Sequence, residues 1–442
     1  VQGSGEALSN VLASGDLERL VQQHGGQYRD RVYPPLRTLG LFIDQALSAD
    51  GACQDAVARN LSERTSRGAS RCSLNTGPYC KARRRLPREL IVQVHRALAR
   101  RMEQVQPSGW RWHGRSVKLV DGTTVSMPDT PANQEAFPQS SSQQPGLGFP
   151  LARVVAIISL GHGAPLDWAM AACQGKDTGE QALLRELCGS LQAGDVVLAD
   201  RLYGDYWTLA MLKARGIDLL ACHNARRSFD FRCGKRLGRN DHIVHWKRPQ
   251  CPPWMDKGGY AKLPETLAVR EVRVNGRVLV TTLLDARAAT PVELDRLYAS
   301  RWNVEVDLRS IKAEMGMDIL RCKSPEMVRK ELAVYLLAYS LVRAVMAQAA
   351  SLAHVLARAL SFKGAMQVLS AYHQQLRHSA GKRISVMIVH VLGALAVLRL
   401  PSRPNRFEPR AIKRRPKPHR LLMIPRHLAR LQLAHQRAKV VP

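Results

Sequence analysis

Apolar positions recur at helical spacing over residues 5–22, 35–47 and 87–105, which predicts a helical first region reaching to about residue 112. The period then shortens. Residues 116–125 alternate partly and are β-branched, 152–160 and 166–172 read as strands, and 180–191 reads as a helix. A short apolar strand, 194–199, runs into Asp200, followed by a helix over 206–214 and a strand over 218–222. This mixed order predicts an α/β core whose first part spans 113–223. Residues 229–246 and 267–284 return to alternation with Val, Thr and turn residues, so a β-rich insertion is expected over 224–277, with the core resuming over 278–323. The apolar runs 332–350 and 386–400 predict a C-terminal helical region over 324–400. Arg343 interrupts the first run, and the second is short for a span of about 20 residues and contains His390 and Arg399. Both read as core helices, and no membrane partner is expected.

Charge narrows the function. Sixty-six Lys plus Arg against thirty-six acids give a net charge of +30, which predicts salt-sensitive contact with a polyanion. Eight basic residues between Lys81 and Arg101 suit either a solvated helical face or a helix that binds DNA ends. Residues 401–442 carry twelve Lys or Arg against Glu408 alone, with seven prolines, and read as a disordered basic tail lying nonspecifically on DNA. The nine cysteines include no Cys-x2-Cys pair and read as reduced thiols, while His242 and His245 lack a matched ligand set and read as a strand pair. The first residues show no basic-then-apolar secretory pattern, so a cytoplasmic protein is expected.

The candidate chemistry lies in three places. Tyr298, Arg301, Glu305 and Lys312 follow a Tyr-x2-Arg-x3-Glu-x6-Lys spacing, which on one helix would put a carboxylate between two cations and a phenol on a single face. Such a carboxylate suits a divalent metal, with the cations taking adjacent phosphates. Two further acids stand where apolar strands are expected to end: Asp121 in Val-Asp-Gly-Thr-Thr and Asp200 in Ala-Asp-Arg-Leu-Tyr. Asp121, Asp200 and Glu305 therefore form a candidate catalytic and metal-binding triad, with Tyr298, Arg301 and Lys312 as candidate DNA contacts. Acids at two strand ends in this mixed order fit a ribonuclease H-like core. Such a core would normally reach its catalytic helix soon after the second Asp, but Glu305 lies 105 positions beyond Asp200, which the insertion explains.

Over roughly residues 79–350 the chain resembles bacterial transposases of the insertion-sequence-4 family, which carry a DDE triad and a Tyr-Arg-Glu-Lys signature. The resemblance implies a ribonuclease H-like core with an all-β insertion, cleavage at element ends and 3′-OH strand transfer into target DNA. The oxygen ligands themselves favour two Mg2+ ions, with Mn2+ able to substitute. The partners implied are double-stranded DNA, as terminal repeats and as target, and a second copy of the chain in a synaptic homodimer; residues 325–400, and Leu332 to Met346 above all, are the candidate pairing surface. Family members that cut through a hairpin stack a flipped base on an aromatic in the insertion, but Trp246 and Trp254 fit the insertion's own core better, and Trp302 is expected to pack. A ribonuclease H-like nuclease and a noncatalytic DNA-binding protein or inhibitor are the rival readings.

Overall fold

The computed structural model describes residues 14–28, 31–48, 50–69, 72–224, 227–378, 382–401 and 421–438. Among the described residues five helices come first: α1 (Ser14–His24), α2 (Pro35–Leu47), α3 (Cys53–Ser66), α4 (Gly77–Arg85) and α5 (Arg88–Gln104). Residues 5–13, the start of the first expected helix, lie outside the described residues. Helices α3 and α4 escaped the periodicity because each buries only a few side chains, Ala56, Val57, Asn60 and Glu63 on one, Tyr79, Ala82 and Arg83 on the other. The basic cluster is neither wholly solvated nor wholly free for DNA. Arg83 is buried over the Phe42 ring and donates to Gln45, and Arg96 donates to Asp167.

The centre is one nine-stranded sheet in the order β3-β2-β1-β4-β5-β9-β8-β7-β6. Its strands are β1 (Val117–Ser126), β2 (Leu151–Ser159), β3 (Pro165–Ala172), β4 (Val196–Ala199), β5 (Asp218–Cys222), β6 (Lys235–Gly238), β7 (Asp241–Lys247), β8 (Thr266–Val274) and β9 (Arg277–Thr281). Strands β1, β2 and β3 are antiparallel, β4 and β5 run parallel to β1, and β9 joins β5 antiparallel. The β-rich stretch thus continues the core sheet, since Leu220 pairs with Thr281 and Cys222 with Leu279. Between the strands lie α6 (Pro131–Ala136), α7 (Glu180–Leu187), α8 (Tyr206–Lys213) and α9 (Lys257–Ala261). Trp246 is 2% exposed and donates to Glu271, as expected of a core residue, and His242 on β7 bonds the same carboxylate.

The chain closes with α10 (Pro291–Ala299), α11 (Trp302–Arg309), α12 (Pro325–Leu352), α13 (Phe362–His378), α14 (Lys382–Val397) and α15 (Arg426–Ala438). Helix α12 is long and apolar enough to cross a membrane by length and composition, yet 83% of its apolar window is buried inside the protein. It packs against α2, α5 and α14. Leu332, Leu336, Leu337 and Met346 are at most 1% exposed, so this run fills the core and is not the pairing surface expected of it. Residues 402–420 of the basic tail lie outside the described residues, but the segment after Pro425 is helical because no further proline interrupts it until Pro442.

Candidate active site

Strands β1 and β4 bring the first two acids level. Their parallel register pairs Leu119 with Leu198, and two positions further along each chain stand Asp121 and Asp200. Strand β1 outruns β4, so Asp121 lies inside a strand that continues to Ser126, not at its end; it stands where pairing with β4 stops. Asp121 Oδ1 accepts from the Gly122 amide at 2.8 Å. Asp200 caps the short 3-10 turn Arg201–Tyr203, its Oδ1 accepting from the Leu202 amide at 2.8 Å. Burial pushes the Asp121 carboxyl up to about 6, against the pull of the Gly122 amide and Arg301, and the nearby charges of Asp200 and Glu180 add to the push.

The third acid arrives on α11. Arg301 Nη2 donates to Glu305 Oε1 at 2.7 Å, and Arg301 Nη1 stands 3.7 Å from Asp121 Oδ2. One guanidinium thus gathers two acids that are far apart in sequence. Burial opposes its charge, but the Glu305 hydrogen bond and the nearby Tyr298, Glu305 and Asp121 outweigh that and hold its pKa above the ordinary arginine value. Lys312 Nζ donates to Thr123 Oγ1 at 3.1 Å, one strand period past Asp121 and on the same face of β1. Tyr298 is 7% exposed, and burial beside the Cys222 thiol pushes its phenol upward.

The four signature residues do not share one regular helix. Tyr298 ends α10, the chain turns at Ser300 and Arg301, Glu305 lies in α11, and Lys312 lies in a π turn, Ser310–Glu314. A π turn inserts an extra residue per turn and is a common device for aiming a side chain at functional sites. What fixes α11 was invisible in the motif. Asp307, on the buried side, accepts from Arg358 at 3.0 and 2.8 Å and from Tyr339 at 3.0 Å, while Arg358 also donates to the Leu160 and Ser159 carbonyls. No spacing rule links Asp307 to Arg358 across that length of chain. Trp302, expected to pack, is 56% exposed and stands with Val306 on the outer face of α11. Trp254 is half-buried, at 6.0 Å from the Trp207 ring and under Arg185.

A family model described as a transposase DDE domain matches residues 112–341, more than half of the chain. The chain is a DDE transposase. It is 29% identical over 347 residues to the transposase InsG for insertion sequence element IS4 of Escherichia coli (strain K12), covering 76% of each chain, which bears out the insertion-sequence-4 resemblance. A cryo-EM structure of a piggyBac transposase synaptic complex with hairpin DNA aligns with a TM-score of 0.45 at 9% identity, over 89% of this chain and 86% of that one. The transposase is thus a DNA-cleaving and strand-transferring enzyme, and divalent-metal dependence comes with the family. The carboxylate oxygens of Asp121, Asp200 and Glu305 suit a hard divalent cation in kind. Among the described residues, no three His, Cys, Asp or Glu side chains stand close enough to close around one ion. The Arg301 guanidinium lies between two of the transposase's acids, 2.7 Å from Glu305 and 3.7 Å from Asp121.

Proposed function

We propose that Asp121, Asp200 and Glu305 hold two divalent ions, Mg2+ with Mn2+ able to substitute, in a ribonuclease H-like core, and that Arg301, Lys312 and Tyr298 serve the DNA strand being cut. The observation that carries this is the Arg301 bridge, which links Asp121 at 3.7 Å to Glu305 at 2.7 Å beside a level Asp200. The strand order β3-β2-β1-β4-β5, antiparallel then parallel, supports the core assignment. When bound, the ions supply an activated hydroxyl and a stabilised leaving 3′-oxygen.

The protein's own groups do the rest. A DNA phosphate offers Arg301 a stronger bidentate partner than Glu305, so docking of an element end draws the guanidinium to the phosphate and frees the carboxylate. Lys312, steadied by Thr123, takes a neighbouring phosphate as a point charge. Tyr298, buried beside Cys222 at the end of β5, sets the turn from which Arg301 projects. Water then attacks at the element end and frees a 3′-OH. That 3′-OH attacks a target phosphodiester, forming one P–O bond and releasing the target's own 3′-oxygen. The substrates are double-stranded terminal repeats and target DNA, met on the bacterial nucleoid, and the acting form is a homodimer that pairs two ends.

The test mixes labelled element-end DNA, supercoiled target plasmid and Mg2+. End cleavage followed by joined product is expected, and Asp121→Asn, Asp200→Asn and Glu305→Gln should each remove both while end binding persists. Cleavage without joining would mark a nuclease, and binding alone a noncatalytic protein.

A further inference from the structure

Two thiols meet in the first helical region, although no short spacing pairs them. Cys53 opens α3 and Cys80 lies in α4, and their sulfurs stand 3.8 Å apart, the Cys80 thiol donating to Cys53 Sγ. Both residues are half-buried, so small solutes reach them, whereas the nearby Cys322 is buried.

The two sulfurs are held toward each other by one side chain. Gln45 Nε2 donates to Cys53 Sγ at 3.5 Å and to the Gly51 carbonyl at 2.7 Å, which fixes the chain just ahead of α3. Tyr79, fully buried, donates to Gln45 Oε1 at 2.9 Å and fixes α4 one residue before Cys80. Arg83 Nη1 donates to Cys53 Sγ at 3.5 Å, and its Nη2 donates to Cys322 Sγ at 3.6 Å. Cys322 belongs to the segment that follows the π turn and returns to β1, where the Leu320 amide donates to the Ser126 carbonyl at 2.8 Å. The pair thus stands at the joint between the first helices and the chain leaving the signature. Burial, and then Cys53, push the Cys80 thiol up against the pull of Arg83 and Arg84, so the pair rests as thiols at neutral pH. Sulfurs already in contact need to approach by less than about 2 Å to reach the ~2.05 Å of a disulfide.

We propose that Cys53 and Cys80 are a modification site, a dithiol that a low-molecular-weight disulfide such as oxidised glutathione converts to an intramolecular disulfide. One cysteine, as thiolate, attacks a glutathione sulfur, forming a mixed disulfide and releasing the first glutathione thiolate. The second cysteine loses its proton and attacks the cysteine sulfur of that mixed disulfide, forming the Cys53–Cys80 bond and releasing the second glutathione thiolate. The two cysteines give up two electrons and two protons, and the glutathione disulfide ends as two thiols. Lys81 and Arg84, exposed beside Cys80, attract an anionic disulfide of this kind. In a reducing cytosol the pair stays open. A shift of the thiol pool toward disulfide closes it and ties α3 covalently to the basic helix α4.

The experiment equilibrates the full-length protein, without air and at mildly alkaline pH, in buffers of rising oxidised-to-reduced glutathione ratio. Free thiols are then blocked with iodoacetamide and the digest is read by mass spectrometry. Peptides joined through Cys53 and Cys80 should form before any other cysteine pair, and dithiothreitol should return them to two alkylated thiols. The urea midpoint of the oxidised protein should lie above that of the reduced protein, because a cross-link from 53 to 80 restricts the unfolded chain. Cys80→Ser should remove that difference, and Cys72→Ser, at the half-buried thiol beside Asn60, should keep it. Separate glutathione adducts on Cys53 and Cys80 with no joined peptide overturn the proposal, as does a preferred link to Cys72 or Cys322. The peptide map is read on the unaltered chain, so it decides the matter even if a Ser variant does not fold.

Discussion

Arg301 shares one guanidinium between Asp121 and Glu305, and its removal should be felt both in DNA and in the acids. Arg301→Ala and Lys312→Ala should weaken binding of a cleaved end and lower the slope of log affinity against log salt by about one unit each, measured by fluorescence anisotropy across a salt series. Unchanged slopes in both would leave the cations as braces of the helix. Tyr298→Phe, which removes a single hydroxyl, should be milder. Asp121 carries its own signature. A carboxyl held up at about 6 when folded, against 3.8 ordinarily, binds its proton more tightly in the folded state, so stability is lost as pH rises through that window. Asp121→Asn should therefore stabilise the metal-free protein above pH 6, on the order of 2 kcal/mol after allowance for solvent screening, and confer nothing below the ordinary carboxyl range. Urea melts at pH 4 and 7.5 decide it, and an Asn variant no more stable at 7.5 refutes it. The six candidate residues were legible because each sits in a short spaced motif. Thr123 and Asp307 were not, since their partners are set by strand register and helix packing, which no local spacing encodes.

At the scale of elements, the core strands and helices from 117 to 222 match expectation closely, and β5 agrees at both ends. There β4 and β5 are short apolar runs buried on both faces and α7 buries one side, so apolar pattern and burial coincide. The signature segment was read as one helix, but the chain turns at Ser300 and winds to a π turn at Ser310. Periodicity counts residues and cannot register where a turn of different pitch enters. The joint between α5 and α12 offers a test of its own. His95 Nε2 lies 3.0 Å from Ser340 Oγ, and burial holds the imidazole at about 4. A base whose folded pKa is depressed gives stability that is complete above 6.5 and lost as pH falls toward 4, on the order of 3 kcal/mol for this shift. His95→Gln should flatten that acid limb in urea melts between pH 6.5 and 4. An acid limb as steep as before would place the proton uptake elsewhere.

At the scale of the whole molecule, the segments read from sequence as successive regions are knitted into one core. Helix α12 lies against α2 and α5 from the first region, and Lys330 donates to the Arg84 carbonyl at 2.7 Å. Hydropathy showed α12 to be apolar, but not which partners would cover it. A chain ending at Arg321 should accordingly be insoluble, because the faces of α2 and α5 that α12 covers are left bare. A chain ending at Leu400, whose amide donates to the Ala359 carbonyl, should fold and cut. It should also lose several units of salt slope with the twelve basic residues beyond it. Solubility, and affinity across a salt series, check both; a soluble, cutting chain ending at Arg321 would refute the first. The same packing sets a timetable for the newborn chain. Helix α5 leaves the ribosome 221 residues before α12 begins. At roughly 5–20 residues per second, that is on the order of 10–45 seconds during which two apolar faces wait for a partner not yet synthesised. A holdase that shelters apolar, strongly cationic nascent helices would meet that wait, and each new copy depends on α12 having been made before any of it becomes an enzyme.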